Sequence, residues 1–449
     1  MQSPSSRSAG PASPPDPGAR RSGVRPRSGI RLAVALVGVV VASMLAVLPA
    51  AASDPGDHDD AGEVATYRVT LTNLTAGQPL TPAVLAASDD GVRLFRTGRS
   101  ASPGLAQLAE NGGVPVLAAE AAARPRIAAV EVVGAAPIAP GASTTQLVTL
   151  PEDAEYVSLA AMLVCTNDGF AGISRLRLPE EGRTRSRAAR AYDAGTEINT
   201  EAYADLVPPC DGMGGSGMSN PALAEGGVVH RHRGITGVAD LDPAVHGWDG
   251  PVMAVTITRV RVYEVTLTNL TAGQPLTPAV LAVHRGEHKV FRTGRPASAG
   301  LAQLAENGGV PVLAAELAAR RAIADVGVVG AAPIGPGGSA SSTLVIDGRG
   351  GHASLAAMLV CTNDGFAGLD SVDLPDEVGD TATWDAAAYD AGTEMNTEAY
   401  ADLVPPCDGM GGSGMSNPAL AEGGVVSPHA GITGVADLDP AVHGWSGPV

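Results

Sequence analysis

The sequence predicts an all-β protein built from two tandem antiparallel β-sandwich domains with short helical insertions. The segment YRVTLTNLTAGQPLTPAVLA, which starts at Tyr67, recurs almost unchanged from Tyr263, an offset of 196 residues. A repeat of this length corresponds to a whole duplicated domain, because solenoid units repeat every ~20–50 residues. Each copy contains several short β-rich segments. With four Phe and three Trp in the chain, the cores must be built from Val, Leu, Ile and Ala.

Residues 1–52 are predicted to form a secretory signal peptide. Several arginines precede an apolar run from Leu32 to Leu48, and small residues ending at Ala52 follow it. An uncleaved membrane anchor is the alternative, but the run is short for a membrane span. We expect cleavage after Ala52, no membrane span in the mature chain, and a protein that is secreted or held at the cell surface. Residues 53–64 are acidic and lack hydrophobic periodicity, so we expect a disordered leader.

The first domain is predicted to span residues 65–260. Val69 and Leu71 alternate with polar residues, the pattern of a half-buried strand. The spacing of Leu and Ala predicts short helices, the first of which Asn-Gly-Gly ends. The helices are expected at Pro103–Glu110 and Val116–Ala123, and strands at Val130–Val133, Thr145–Leu150 and Ser158–Cys165, the last apolar enough to be central.

The junction between the copies predicts a rigid tandem with almost no linker. Val255–Thr258 alternates as a final strand, and the apolar face then shifts by one residue without Gly or Pro. A bulge or break near Arg259 is therefore expected.

The second domain is predicted to span residues 262–449 and to lack its last strand. The second copy stops at Val449, which corresponds to Val252, so nothing in it matches Met253–Val260 of the first copy. An open sheet edge is expected, to be completed by another segment or molecule, with an oligomer as one outcome.

The four cysteines fall two in each copy. In an exported protein this pattern predicts one disulfide within each domain, Cys165–Cys210 and Cys361–Cys407. Zinc ligation is the competing interpretation, but no C-x-x-C or paired Cys/His spacing favours it.

The formal charge of −18 disfavours nucleic acid and anionic lipid as partners and favours cations. Simple solubility in a salty medium explains the charge equally well. The sequence shows no Gly-rich phosphate loop and no basic aromatic patch.

Acidic residues recur in the blocks that the two copies share. One Asp follows the central strand, and two more acids lie in the segment Y-D-A-G-T-E that follows. Between these blocks the copies differ greatly, with arginines in the first and acids in the second, which suggests that the shared ends meet. Ca²⁺ needs about six to eight oxygen ligands, which carboxylates on Gly-containing loops can supply. Solvated loop acids are the alternative. The candidates are Asp168, Asp193 and Glu197, and Asp364, Asp390 and Glu394.

The order of these motifs, L-A-E-N-G, then N-D-G-F, then Y-D-A-G-T-E, resembles the spondin domain family, which also occurs in secreted bacterial proteins. The resemblance covers both copies. It implies a C2-like β-sandwich that carries Ca²⁺ at one end, with the six acids named above as ligands. The last ligand in each domain is Glu, where the animal proteins have Asp. Glu110 and Glu306 lie in the resembling turn and are weaker candidates, expected to brace the loop.

These observations predict a non-enzymatic calcium-binding module for adhesion, matrix or envelope contact, whose partner is an unknown extracellular protein or glycan. One alternative is a hydrolase that uses Ser, His and Asp groups of the Gly-rich loops, although no ordered nucleophile motif is present. Another is a structural envelope protein without metal. The hydrolase candidates are Ser216, His232 and His246, with Ser413, His429 and His443 in the second copy. The sequons at Asn73 and Asn269 are expected to shape turns.

Overall fold

The structure is a computed structural model that describes residues 30–36, 63–208, 210, 220–286, 288–347, 351–405, 407 and 417–446. The predicted cleavage site after Ala52 and nearly all of the acidic leader lie outside the described residues. None of the helices in the described part combines the length and apolarity that a membrane crossing requires.

The elements follow the same order in both copies. Strand β1 (Ile30–Leu36) precedes both domains. The first domain contains β2 (Val64–Asn73), β3 (Ala83–Ser88), α1 (Pro103–Asn111), α2 (Val114–Ala122), β4 (Ala129–Val133), β5 (Ser143–Pro151), β6 (Tyr156–Met162), β7 (Gly169–Arg177), β8 (Thr184–Asp193), β9 (His230–Arg231) and α3 (Pro243–His246). Strand β10 (Met253–Thr268) continues into the second domain, which contains β11 (Ala279–His284), α4 (Ala299–Asn307), α5 (Val310–Ala318), β12 (Ile323–Val329), β13 (Ser339–Ile346), β14 (His352–Met358), β15 (Gly365–Asp373), β16 (Thr381–Asp390), β17 (Ser427–Pro428) and α6 (Pro440–His443).

Each domain is a sandwich of two antiparallel sheets, as predicted. In the first domain one sheet has the order β5–β2–β10–β8. The other has the order β4–β3–β6–β7–β8–β9, so β8 contributes its first half to one sheet and its second half to the other. In the second domain the corresponding orders are β13–β10–β1–β16 and β12–β11–β14–β15–β16–β17.

The cores are aliphatic, and the helices form a third layer. Val69 and Leu159 lie in the core between the two sheets of the first domain. Leu108 of α1 and Leu117 of α2 pack with Phe170 on the outer face of the second sheet. Burying one such side chain stabilises the fold by about 1.5–3 kcal/mol. The predicted helical insertions are confirmed, and they cover a sheet face that would otherwise expose apolar side chains.

Strand β10 runs from one domain into the other without interruption, so the predicted bulge or break near Arg259 is wrong. Met253–Val260 pairs with β2, and Arg261–Thr268 pairs with β13. Neither pairing contains a register shift. Val260 and Val262 are buried but belong to neither sandwich core. The shift of the apolar face in the sequence therefore marks the passage between the domains, where these two side chains are covered.

Strand β1 occupies the gap that the sequence predicts in the second domain. It lies antiparallel between β10 and β16, as Met253–Val260 lies between β2 and β8 in the first domain. The edge is thus covered by part of the predicted signal peptide. A chain cut after Ala52 would lack this strand, and an oligomer formed through the vacated edge stays a prediction.

Both predicted disulfides are confirmed, and they exclude zinc at the same sulfurs. Cys165 bonds Cys210 and Cys361 bonds Cys407, each pair with Cα atoms 5.1 Å apart. The sulfurs of the first pair lie within 4.8 Å of a ring nitrogen of His246, but the S–S bond removes the thiolates that zinc would need.

The sequon asparagines shape turns, in agreement with the sequence interpretation. Asn73 is fully buried. Its amide group donates to the carbonyls of Gln78 (2.7 Å) and Ile138 (2.9 Å). Its Oδ1 accepts from the amide (3.0 Å) and the hydroxyl (2.7 Å) of Thr75. Asn269 makes the equivalent contacts.

Candidate metal site

The predicted acids lie at one end of each sandwich, where the loop between β6 and β7 meets the turn after β8. Gly169 at the start of β7 pairs with Asp193 at the end of β8. This pairing places Asp168 next to Asp193, and Glu197 follows in the next turn. In the second domain, Gly365 pairs with Asp390 in the same way. The two ends of the divergent segment therefore meet, as the repeat predicts.

Asp168 ties the two loops together with one of its carboxylate oxygens. Its Oδ2 accepts from the amide of Thr196 (2.7 Å), the hydroxyl of Thr196 (3.2 Å) and the amide of Glu197 (3.1 Å). Its Oδ1 is buried without a hydrogen-bond partner in the described part of the chain. Asp364 repeats this arrangement around Thr393 and Glu394.

Glu197 shows the same division between its two oxygens. Its Oε1 accepts from the amide of Asn220 (2.9 Å), whereas Oε2 is buried and has no partner among the described residues. In the second domain, Oε1 of Glu394 accepts from the amide of Asn417 (2.8 Å), and Oε2 is again without a partner. Each domain thus has two buried carboxylate oxygens that receive no hydrogen bond from the part of the chain that the structure describes, which is unusual for native proteins.

The electrostatics of this end are unfavourable for bare carboxylates. Burial, together with the charge of Asp193, raises the pKa of Asp168 to about 6. Burial also raises the pKa of Glu197 to about 7, with further contributions from Glu110, Asp168 and Asp205. Asp364 and Glu394 are shifted to about 6 and about 7 for the corresponding reasons. A cation would offset this repulsion.

Asp193 has a different role from the other two acids. Its Oδ1 accepts from the amide of Gly195 (2.8 Å) and its Oδ2 from the side chain of Asn199 (2.7 Å), so both oxygens hold the turn. Asp390 makes the same contacts with Gly392 and Asn396. Of the residues that the structure describes, only two Cys-Cys-His groups bring three potential ligand atoms within 4.8 Å of one another. The three predicted acids are therefore neighbours but do not form a closed cage, and ligation by Asp193 stays a prediction.

Two further acids lie close enough to Glu197 to raise its pKa. Glu110, at the end of α1, is the weaker candidate of the sequence analysis, and Glu306 is its counterpart beside Glu394. Asp205 was missed. Its oxygens accept from Thr200 (2.8 Å) and Asn220 (3.0 Å). It lies in the block E-A-Y-A-D-L, which is identical in both copies. This identity is the sequence signal that could have identified Asp205 as a candidate.

Glycines in the two motifs are required by close backbone approach. Gly195 has φ 70°, and a Cβ there would lie 2.6 Å from the amide nitrogen of Val228. A Cβ on Gly169 would clash with the hydroxyl of Thr166. The Gly that directly follows Asp168 is therefore needed for the tight loop that presents this carboxylate.

Two buried histidines bear on the hydrolase alternative. Nδ1 of His232 accepts from the amide of Gly234 (3.0 Å), its ring packs on Trp248, and burial lowers its pKa. Ser354 and His284 are hydrogen bonded (2.8 Å), but both are fully buried. Ser216 and Ser413, which the hydrolase alternative needs, lie outside the described residues.

Without Ca²⁺, we expect the protein to lose stability as the pH rises from about 4 to about 7, the interval between the unfolded and folded pKa values of Asp168 and Glu197. Asp168 and Glu197 bind protons more tightly when folded than when unfolded, so their ionisation penalises the folded state, by about 3 kcal/mol per domain for Asp168 alone. Thermal unfolding in chelator across this range measures the effect. Asp168→Asn with Glu197→Gln, together with Asp364→Asn and Glu394→Gln, should flatten the curve. An unchanged slope in this variant would contradict the assignment.

Comparison with known proteins identifies the family. The Spondin_N family model matches residues 80–204 and 273–402, one range in each domain and together more than half of the chain. Human Spondin-2 is 34% identical over 118 residues, which is 25% of this chain and 36% of that protein. The chain thus spans about a third of the length of this curated relative. All six predicted acids lie inside the matched ranges. The chain belongs to the Spondin_N family, and it carries the domain twice.

Proposed function

We propose that this protein is an exported, non-enzymatic module in which each domain binds one Ca²⁺ ion at the acidic end of its sandwich. The ion would be held by Oδ1 of Asp168 and Oε2 of Glu197 in the first domain and by the same atoms of Asp364 and Glu394 in the second. The observation that carries the proposal is the pair of buried carboxylate oxygens, present in both domains, for which the described residues offer no hydrogen-bond partner.

The chemistry of these groups suits a hard cation. Both orphaned atoms are carboxylate oxygens, and Glu110 and Asp205 add negative charge near Glu197. Ca²⁺ takes about six to eight oxygens in flexible geometry, so backbone carbonyls, the nearby acids or water would complete the shell around the two carboxylate oxygens. No sulfur or imidazole ligand is needed, which disfavours zinc.

The metal would stiffen the loops that carry it. Asp168 already joins the turn after β8 to the loop before β7. A cation at the other oxygen, Oδ1, would remove the repulsion between carboxylates that opposes this contact between the two loops. We infer that the ordered end loops contact an extracellular partner, protein or glycan, as an adhesion or matrix module does. Spondin_N family membership and the predicted export signal support this assignment.

The direct test is thermal unfolding with added Ca²⁺ and with chelator. Wild type should gain about 2.7 kcal/mol when free Ca²⁺ is about a hundredfold above its Kd. The double variant Asp168→Asn, Asp364→Asn should show the opposite behaviour in two respects. It should be more stable than wild type in chelator, because a repulsive charge is gone, and it should lose most of the gain from Ca²⁺.

A matched control removes one exposed acid from each domain. Asp153→Asn with Asp380→Asn changes the net charge equally but touches neither site. This variant should keep the full response to Ca²⁺. Two results would contradict the proposal: no response of the wild type to Ca²⁺, or a loss of response in the control as well. Either would favour a structural protein without a specific metal site.

A further inference from the structure

The first domain contains an arginine-lined cleft that the function proposed above does not use. It has a volume of about 270 Å³ and lies along β7 and β8. Five arginines line it, from the segment after β3, from β7, from β8 and from β9, and Tyr192 contributes an aromatic wall. The five are Arg93, Arg175, Arg187, Arg190 and Arg231.

These guanidinium groups are not neutralised by the protein. The chain has a formal charge of −18 and many acids. Within the described residues, however, none of the five arginines forms a salt bridge. Other arginines of the chain, such as Arg259 and Arg261, do pair with carboxylates. The cleft therefore concentrates positive charge that the fold leaves available.

Aromatic rings hold two of the guanidinium groups in place. Arg175 lies over the ring of Tyr156, 3.7 Å from its centroid. Arg231 lies over the ring of Tyr192 at 4.6 Å. Stacking of this kind orients a guanidinium without using its N–H donors. The donors remain free to bind oxygen atoms in pairs, so the positions are suited to an incoming anion.

The second domain lacks this cleft chemistry, although its fold is the same. The position of Arg93 is taken by Lys289, which forms a salt bridge with Asp370 (2.9 Å). The other four arginines are replaced by uncharged residues, which are Ser371, Trp384, Ala387 and Pro428. The arginines are thus not needed to build the sandwich. The concentration of positive charge is therefore specific to the first domain.

We propose that this cleft binds a compact anion that carries at least two phosphate or sulfate groups. Five like charges around one small cavity repel each other, and an oxyanion converts that repulsion into attraction. Arg donates two parallel hydrogen bonds to such groups, which fixes their geometry. The volume lies just below the range of about 300–1,000 Å³ that is usual for small-molecule sites, so it suits a compact ligand such as a diphosphate or a sulfated disaccharide.

Calorimetric titration of the full chain at low ionic strength, in Ca²⁺-free buffer, tests the proposal. The probes are inorganic pyrophosphate and a disulfated heparin disaccharide, with acetate as the singly charged comparison. We expect saturable binding of at least one of the first two and none of acetate. The stronger probe distinguishes a phosphate source from a sulfated sugar.

Two variants locate the site. Arg187→Ala with Arg190→Ala should weaken binding about tenfold or more, because two charge-assisted donors are lost. Arg183→Ala with Arg185→Ala removes the same charge from the same region but not from the cleft lining, and should bind like wild type. Arg93→Ala gives a second test outside β8. Equal weakening in both double variants, or no binding of either probe by wild type, would overturn the proposal.

Discussion

Asn73→Ala is expected to lower the free energy of unfolding of the first domain by about 2 kcal/mol, because a buried donor left without a partner costs roughly 1–3 kcal/mol. The side chain is fully buried and makes four hydrogen bonds. Its removal leaves the amide of Thr75 without its acceptor and takes one of two donors from each of the carbonyls of Gln78 and Ile138. Asn269→Ala should have the same effect in the second domain.

Chemical denaturation, followed by intrinsic fluorescence, measures this loss. Thr72→Ala is the matched control, since Thr72 is adjacent in β2 but pairs with Ser143 on the solvent face. We expect that control to cost less than about 0.5 kcal/mol. A mild effect of Asn73→Ala would mean that water replaces the lost contacts. It would also reopen glycosylation at this sequon, which the buried side chain otherwise precludes in the folded protein.

Glu201→Gln is expected to destabilise the first domain by about 3 kcal/mol, because a buried charged acceptor is lost. Oε1 of Glu201 accepts from the amide (2.7 Å) and hydroxyl (2.9 Å) of Thr236. Oε2 accepts from the amides of Gly237 (2.6 Å) and Val238 (3.0 Å). A glutamine would present an NH₂ group to donors. The backbone of Glu201 also has φ 56°, a conformation that the surrounding contacts must maintain.

The same residue gives a signature in acid. Burial acts to raise the pKa of Glu201, but the hydrogen bonds from Thr236, Gly237 and Val238 outweigh it and hold the pKa below its ordinary value. Its stabilising contribution is present above the ordinary pKa and is lost as the pH falls through the depressed one. Wild type should therefore lose stability below about pH 4.5. A variant with Glu201→Gln and Glu398→Gln should lose less.

The exposed acids Glu225 and Glu422 provide the control for this prediction. Their replacement by Gln should leave both the stability and the acid profile unchanged, since both side chains are exposed. If Glu201→Gln behaved like this control, the loop of residues 236–238 would be held by its backbone alone.

The sequence predicts those parts of the molecule that depend on residues close together in the chain. Periodicity and the Asn-Gly-Gly stop predict α1, whose end at Gly112 has φ 66°. The conserved blocks of the two copies place Asp168 and Glu197 together. What the sequence does not contain is the direction of each oxygen. Asp193 and Glu197 lie in one motif, yet hydrogen bonds satisfy both oxygens of the first and one of the second.

Long-range contacts explain the remaining differences. The arginines of the cleft come from four separated segments, so no stretch of sequence contains a basic aromatic patch. Glu201 and Asp205 have partners 15 to 37 residues away. The apolar shift near Arg259 suggests a bulge when β10 is considered alone. In the structure the shift arises because Val260 and Val262 are buried where the domains meet.

The continuity of β10 has a mechanical consequence. Tension between the two domains would run along one covalent strand that is hydrogen bonded to β2 and β8 on one side of the junction and to β13 on the other. These ladders would be loaded in shear, with many hydrogen bonds sharing the force at once. Arg261 clamps the midpoint through Glu181 (2.8 Å) and Asp376 (2.7 Å). The tandem therefore transmits load from one domain to the other through β10 without a hinge.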